Sequence, residues 1–286
     1  MPITLEQLID DKLELFSLPE VVMRAVDLIN DPDSSAVDIG QVISDDPGLT
    51  ARLLKIVNSP FYGFPSRIDT VSRAITVVGT LELLDLILAT SVIKKFNGIP
   101  SELVDMNDFW SHSLYTGIAA RTIAHTLRAP NTERYFIAGL LHNIGALVLY
   151  LRTPDGAAQA LKRAREGNEI LYQVEQELLG FGHGEVGARL LEMWRLPDAF
   201  QTAVRYHHTP LQAEQHRLET AIVHLADIIA ASVHNADAET GRVPPMDPQA
   251  WELVGLPIDS MEALIREADN AFEEARAVII PRADVA

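Results

Sequence analysis

The stretch YFIAGLLHNIGALVLYL, residues 135–151, is nearly all apolar, yet it carries the polar pair His142 and Asn143 at its centre. A helix that is hydrophobic on every side is a buried helix. Asn131 is a good N-cap just before this stretch, and Glu133 suits the positive first turn of a helix. The pattern therefore predicts one buried helix around which the rest of the chain is organised.

The same stretch contains no Lys or Arg, which is also a property of membrane spans. It is short for a bilayer, however, and His142 and Asn143 would lie near the middle of the hydrocarbon. Burying two polar side chains costs on the order of a few kcal/mol unless they find partners. Two interpretations stay open: the pair is an internal hydrogen-bonded pair, or it is what remains of a metal centre.

The composition of the 286-residue chain is that of a globular protein, with 48% hydrophobic and 22% charged residues. The formal net charge of −17 would repel a phosphate backbone, so we expect no nucleic-acid partner. The absence of cysteine excludes disulfides, thiolate zinc sites and a cysteine nucleophile. The N-terminus is polar and acidic, unlike a signal peptide. We therefore expect a cytoplasmic protein without a membrane partner.

Apolar residues recur at spacings of three and four almost throughout, which predicts an all-α fold. The clearest break, NGIP at residues 97–100, predicts two packed helical subdomains with a cleft between them. The C-terminal tail is expected to pack on the second subdomain through Leu253, Leu264 and Ile265. The N-terminal subdomain, the second helical bundle and the tail are predicted at residues 1–98, 99–245 and 246–286.

A loop of distinct composition, NSPFYGFPSRID, is predicted at residues 58–69, because its two prolines and Gly63 oppose a helix. Phe61, Tyr62 and Phe64 are too apolar for a loop that only faces solvent. Two interpretations follow: the rings fill the gap between neighbouring helices, or they form an edge that binds a partner.

Candidate metal ligands are spread over several predicted helices and turns. They are His112, His142, Asn143, His183, His207, His208 and Asp227. Helical bundles assemble metal sites from imidazole nitrogens and carboxylate oxygens on separate helices. His224, three residues before Asp227, is in place to orient that carboxylate, but we assign it, with His125, His216 and His234, to surface or core roles. Spacing alone leaves open whether the candidates bind a metal, because no two of them share a tight motif.

Residues 15–233 resemble the HDOD domain, the HD-related output domain of bacterial signalling. The resemblance is carried by SLPEVVMRAVDLINDPDSSAVDIGQVISDDPGLTARLLKIVNSPFYG and by the later segments FWSHS, IAGLLHNIGALVL, HGEVGARLLEMWRLP, RYHH and VHLADIIA. HDOD domains are all-helical and are similar to the HD phosphohydrolases and the HD-GYP phosphodiesterases. The resemblance implies that residues 99–245 form an HD-like helical bundle.

In those enzymes the metal ligands follow the order H…HD…H…HH…D, which falls here on the seven candidates named above. Active relatives read HDIGK at the paired position, whereas this chain reads HNIGA, with Asn143 for the aspartate and Ala146 for the lysine. A carboxylate can bridge two metal ions, and a neutral amide does so poorly. The missing lysine would stabilise charge on a phosphoryl group. The resemblance therefore implies a degenerate site that holds at most one divalent iron, manganese, zinc or nickel ion.

Three functions remain as hypotheses. The favoured one is a non-catalytic regulatory output module that binds a protein partner in a signalling pathway, as a monomer or weak dimer. The alternative is a metal-dependent phosphohydrolase or phosphodiesterase that acts on nucleotides or cyclic dinucleotides. The third is a sensing module, in which an ion or ligand at the site biases the packing of the two subdomains.

Overall fold

The computed structural model describes residues 4–9, 18–31, 33–59, 62–80, 83, 86–88, 91–92, 96, 99–167, 169–233, 240 and 242–280. Within these ranges the chain is helical and contains no strand, which confirms the predicted all-α fold. The helix predicted from Thr80 to Phe96 lies largely outside the described residues, as does His234.

The α-helices are α1 Leu5–Leu8, α2 Glu20–Asn30, α3 Ala36–Ser44, α4 Pro47–Val57, α5 Val71–Val78, α6 Met106–Thr126, α7 Thr132–Leu141, α8 Ile144–Arg152, α9 Pro154–Gly167, α10 Leu171–Leu179, α11 His183–Met193, α12 Asp198–Tyr206, α13 Arg217–Val233, α14 Pro248–Val254 and α15 Met261–Ile279. Short 3-10 helices cover Pro210–Gln212 and Ile258–Ser260. The chain divides into two compact units, one made of Leu18–Lys95 with Asp269–Ala286, the other of Met1–Ser17 with Phe96–Ala268. The predicted three-part division stays a prediction.

In the unit that contains Leu18–Lys95, α3 packs against α2, α4 and α5. Ser35 caps α3 as its sequence position predicts: its hydroxyl accepts from the backbone N–H of Asp38, whose carboxylate accepts from the N–H of Ser35. Pro47 opens α4, where its missing N–H costs no helical hydrogen bond. Turn and capping chemistry thus fixes these helix boundaries.

The loop at residues 58–69 is fastened by the side chain of Asn58. Its amide group hydrogen-bonds both the N–H and the C=O of Ile68, at 2.7 and 2.6 Å. Tyr62 and Phe64 stack within this loop, with ring centroids 5.9 Å apart. Phe61 lies outside the described residues, so the two interpretations of this loop stay open.

Helix α6 lies at the centre of the unit that contains Phe96–Ala268. It packs along α7 and α13, while α11 packs against α8 and α12, and α9 packs on α10. Fourteen residues of α6 are buried, among them Phe109, Trp110 and Tyr115. The helices that carry or border the candidate ligands are therefore the core of this unit.

The apolar stretch does lie in the core, but it is two helices rather than the single helix predicted. Helix α7 ends at Leu141, a turn covers His142 and Asn143, and α8 begins at Ile144. The segment Thr132–Arg152 is apolar and long enough to span a membrane, with a mean hydropathy of 1.3, but 89% of it is buried inside the protein. That burial is consistent with the core of a soluble protein.

Two local expectations for this unit were confirmed only in part. Asn131 is the N-cap residue of α7, but it adopts φ 52° and makes no capping bond through its side chain among the described residues. Helix α14 packs on α13, yet Leu253 is 41% exposed and does not carry the packing of the tail. Leu264 is buried as expected.

Candidate metal centre

Glycines at one helix crossing bring α6 and α7 into backbone contact. A Cβ added to Gly139 would lie 2.7 Å from the Cα of Gly117, closer than two carbon atoms can approach. One turn after Gly139, the ring of His142 donates its Nδ1–H to the carbonyl of Gly139, at 2.6 Å. The crossing therefore sets both the place and the orientation of His142 beside α6, which carries His112.

A second glycine crossing joins α8 to α11. A Cβ on Gly145 would lie 2.0 Å from the carbonyl oxygen of His183 and 2.4 Å from the backbone nitrogen of Gly187. Only a glycine fits where two backbones approach so closely. Since Asn143 precedes Gly145 by two residues, this crossing places the amide of Asn143 next to the start of α11.

The structure brings the predicted ligands together. Six of them form two groups, and within each group the ligating atoms all lie within 4.8 Å of one another. The first group is His112, His142 and Asp227, and the second is His183, His207 and His208. The rings of His142 and His207 join the groups, with centroids 5.1 Å apart. Whether an ion binds them stays a prediction.

Asp227 is the centre of the first group. Its Oδ1 accepts a hydrogen bond from His112 Nε2 at 3.0 Å and lies 3.5 Å from His142 Nε2. Asp227 is 2% exposed, and His142 is fully buried. A buried carboxylate with imidazoles on two sides is a strong ligand for a cation.

In the second group a carboxylate behind His183 fixes its ring. Glu175, which is 2% exposed, accepts both the Nδ1–H of His183 at 2.7 Å and its backbone N–H at 2.8 Å. The Nε2 of His183 then faces the Nε2 of His208 at 2.9 Å. His207 donates its Nδ1–H to the carbonyl of Val204 at 2.7 Å. Such partners fix the tautomer in which Nε2 carries the lone pair that a metal needs.

Burial sets the protonation of these groups. Desolvation lowers the pKa of His207 and of His208 well below the ordinary value, and the neighbouring imidazoles lower it further. Burial by itself raises the pKa of Asp227, but the hydrogen bond from His112 and the approach of His142 outweigh it and hold that pKa well below its usual range. At neutral pH His207 and His208 are therefore neutral imidazoles, and Asp227 is a carboxylate.

We expect the metal-free protein to lose stability as the pH falls below about 6.5, where a histidine in the unfolded chain takes up a proton and His207 and His208 in the folded protein do not. Each contributes at most about 1.4 kcal/mol per pH unit. The folded-state pKa of Asp227 is also lowered, so its contribution is lost only below about pH 4. Urea unfolding at pH 7.5, 6.5 and 5.5 measures the slope.

The variant His207→Gln separates this effect from that of the many surface carboxylates, and its slope should be shallower than that of the wild type. The matched control is His125→Gln, because His125 is exposed. Equal slopes in all three proteins would contradict the assignment.

The residues present fit a cation. His142 Nε2, His207 Nε2 and Asn143 Oδ1 are buried and have no hydrogen-bond partner within the described part of the chain. In both histidines the other nitrogen donates to a carbonyl, so Nε2 is an acceptor. Buried acceptors without a donor are costly. A cation bound in the second group would satisfy one of these three atoms, His207 Nε2.

A cavity of about 280 Å³ opens onto the centre. Its lining includes Asn143, Tyr172, His183, His208 and Asp227, and on the opposite side Thr240, Arg242, Val243, Pro244 and Pro245. The ring of Tyr172 stacks on that of His208, with centroids 4.7 Å apart and 14° between the planes. A small molecule could thus reach the candidate ligands from this side.

Two histidines outside the candidate ligands lie in different surroundings. His125 is exposed, as its position on α6 predicts. His224 is 1% exposed, which agrees with the surface or core role assigned to it, and the hydrogen bonds found for it go to His207 and Asp247 rather than to Asp227. Burial lowers the pKa of His224, and its bond to the His207 backbone partly offsets this.

Sequence reasoning missed Glu175 and Tyr172. Glu175 lies on an amphipathic helix, where an acidic residue is usually solvated, and a single sequence offers no signal against that reading. The glycines of the crossings were also missed. Their signal is an isolated glycine inside a helical pattern, which often marks a close approach between helices.

Comparisons with known proteins agree with this architecture. The family model described as HDOD domain matches residues 15–210. A candidate phosphohydrolase from Shewanella amazonensis SB2B has the same fold, with 23% identity, a TM-score of 0.73, and 94% of this chain and 99% of that chain covered. An HDOD domain protein of unknown function from Geobacter sulfurreducens matches with 23% identity, a TM-score of 0.72 and coverage of 92% and 91%.

Two further relatives are longer than this chain. A candidate signal transduction protein from Marinobacter aquaeolei VT8 matches with 22% identity and a TM-score of 0.71, over 93% of this chain and 60% of that one. An uncharacterized protein of Treponema pallidum (strain Nichols) is 28% identical over 226 residues, which are 78% of this chain and 43% of the relative. The chain thus spans less than half the length of that curated relative.

Proposed function

Since this chain belongs to the HDOD domain family, we propose that it is a regulatory module of signal transduction, which acts by binding a protein partner and does not hydrolyse phosphate esters. The observation that carries this proposal is Asn143. It lines the cavity together with His183, His208 and Asp227, at the position where the resemblance places an aspartate in active relatives, and its amide oxygen is buried without a hydrogen bond in the described structure.

Charge balance supports one ion rather than two. Two divalent ions a few ångströms apart repel each other, and two-metal hydrolases offset this with bridging anions. Among the described residues, the two groups contain one carboxylate, Asp227, because Glu175 is engaged behind His183. An amide at position 143 adds an oxygen but no charge. A second ion would therefore bind only weakly.

A single ion would be held by His183, His207 and His208. Two of these line the cavity, so the ion could arrive from solvent, and three imidazoles suit zinc, nickel or iron. Such an ion supplies a positive charge and Lewis acidity at the floor of the cavity. The chain's own residues hold the rings: Glu175 orients His183, and Val204 orients His207.

The second candidate is a metal-dependent phosphohydrolase for nucleotides or cyclic dinucleotides. It is favoured by the retention of five histidines and Asp227 in ligating positions and by a cavity that includes the guanidinium of Arg242. Against it stand Asn143 and Ala146, where the resemblance expects an aspartate and a lysine. Ala146 is fully buried, and its methyl side chain carries no charge where a lysine would supply a cation.

Elemental analysis of protein purified without chelator or nickel resin tests the proposal. We expect at most one transition metal ion per chain, and no turnover of nucleotides or cyclic dinucleotides with added manganese or iron above that of a His142→Ala variant. A pull-down from the native host should recover a specific protein. Two ions per chain, with hydrolysis that His142→Ala abolishes, would favour the phosphohydrolase instead.

A further inference from the structure

Residues 242–247, which we call the strap, form one wall of the cavity. Val243, Pro244 and Pro245 line the cavity, yet Val243 and Met246 are 49% and 45% exposed, so the strap is only partly packed on the protein. Two successive prolines fix φ and remove two N–H donors. The strap is therefore stiff, and a displacement at one end is passed to the other.

Each end of the strap is fastened by a hydrogen bond. At the first end, Nη2 of Arg242 donates to the carbonyl of Arg165 at 3.0 Å. At the other end, the backbone N–H of Asp247 donates to Nε2 of His224 at 3.0 Å. The second bond ties the strap to the core of the protein, because His224 belongs to α13 and is 1% exposed.

Both ring nitrogens of His224 are engaged, and their partners fix its tautomer. A backbone N–H can only donate, so Nε2 carries the lone pair and Nδ1 carries the proton. That proton is donated to the carbonyl oxygen of His207, 2.7 Å from Nδ1. One neutral imidazole therefore links the strap to the backbone of His207.

The linked backbone belongs to the second group of candidate ligands. His207 is held at its carbonyl by His224 and at its ring by the carbonyl of Val204. His208 is its chain neighbour, and its Nε2 faces that of His183. A shift of the His207 carbonyl would therefore move two of the three rings in this group.

We propose that His224 is a positioning residue that joins the cavity wall to the histidine group, so that an ion at His183, His207 and His208 and a seated strap stabilise each other. The ion in this statement rests on the proposed function. The coupling is reciprocal, since any ligand that favours the seated strap must itself be bound more tightly when the strap is seated.

Two conservative variants of the 286-residue chain each remove one of the two hydrogen bonds of His224. In His224→Gln the side-chain oxygen reaches the place of Nε2 and can accept from Asp247, but the donor to His207 is lost. In His224→Asn the amide nitrogen takes the place of Nδ1 and can donate to His207, but the acceptor for Asp247 is lost. Hydrogen–deuterium exchange at the Asp247 amide measures the strength of the bond to the strap, and its change on addition of Zn²⁺ measures the coupling to the histidine group.

Without metal, we expect the Asp247 amide to exchange about tenfold faster in His224→Asn than in the wild type, and at nearly the wild-type rate in His224→Gln. Zn²⁺ should slow this exchange in the wild type by about fivefold or more. It should change the rate little in either variant, because each lacks half of the link. His125→Gln is the control and should behave as the wild type.

The outcomes separate this inference from the proposed function. Equal metal-free exchange in the wild type and both variants would overturn the positioning role. If Zn²⁺ binds the wild type, as measured by calorimetry, but leaves its Asp247 exchange unchanged, the coupling is overturned even if a variant does not fold. If Zn²⁺ fails to bind, the ion site of the proposed function fails, while the expected difference between the two variants would still support the link to the strap.

Discussion

Gly145→Ala should lower the Tm of the protein by roughly 5–10 °C and weaken ion binding at the candidate centre. The added Cβ would lie 2.0 Å from the His183 carbonyl oxygen and 2.4 Å from the Gly187 nitrogen, both of which are backbone atoms. Overpacking costs about 1–3 kcal/mol or more, and each kcal/mol corresponds to about 2–4 °C in a chain of this size. Helix propensity, which favours alanine by about 0.5–1 kcal/mol, acts in the opposite direction.

The effect on the centre is separate from the effect on stability. Helices α8 and α11 must move apart to admit the methyl group, which carries Asn143 and His183 away from each other. We therefore expect a loss of Zn²⁺ affinity of more than tenfold, measured by calorimetry at a temperature where the variant remains folded.

Gly156→Ala is the matched control. Gly156 also lies in a helix of the same unit, but the nearest atom to its added Cβ would be Leu179 Cδ2 at 2.6 Å, the end of a flexible side chain. Leu179 can rotate away, so we expect a Tm change of no more than about 3 °C. If Gly145→Ala behaved like this control, the close approach of the two backbones would be wrong.

Asn143→Asp should convert the centre from one that binds one ion to one that binds two. The substitution keeps the size of the side chain and changes its charge at a position that is 5% exposed. Without metal, an added buried carboxylate costs more than the roughly 1–3 kcal/mol of an unsatisfied neutral group, because it is charged. With Mn²⁺ at a hundred times its dissociation constant, binding raises the free energy of unfolding by about 2.7 kcal/mol. The stoichiometry is measured by elemental analysis, and the stability by Tm with and without Mn²⁺.

The same variant should gain hydrolysis of a cyclic dinucleotide about 100-fold above the background measured with the wild type, because one electrostatic contact of this kind is worth about that factor in rate. Asn131→Asp is the control, since Asn131 is exposed at the start of α7. It should add no ion. A variant Asn143→Asp that still binds one ion, with the same Tm response to Mn²⁺ as the wild type, would refute the charge argument of the proposed function.

Helix boundaries in this chain follow from local chemistry, and so they could be predicted. Ser35 caps α3 as predicted, and α12 and α14 have the bounds that the sequence predicts, Asp198–Tyr206 and Pro248–Val254, because side chains within one turn decide each of these ends. Helix α4 begins at Pro47, two residues before the predicted start at Leu49. The meeting of the candidate ligands was predicted by their order and by the family resemblance. Their division into two groups was not, because it depends on which helices cross.

The break between α7 and α8 shows where periodicity fails. An apolar run predicts burial whether the helix is continuous or not, so the turn at His142 and Asn143 leaves no trace in the hydrophobic pattern. The role of Glu175 was hidden for a related reason. Its partner, His183, is eight residues away at the start of the next helix, and only the packing of α10 on α11 shows that they meet.

The lowered pKa values of His207 and His208 have a consequence for how readily the centre could bind an ion. A histidine that is protonated must expel its proton before it can coordinate an ion, so ion affinity usually falls as acidity rises. Here desolvation has already removed that proton at neutral pH, and fixed hydrogen bonds have already turned the rings. The centre is therefore preorganised for capture, and occupancy should follow the supply of free ion in the cell rather than modest changes of its acidity.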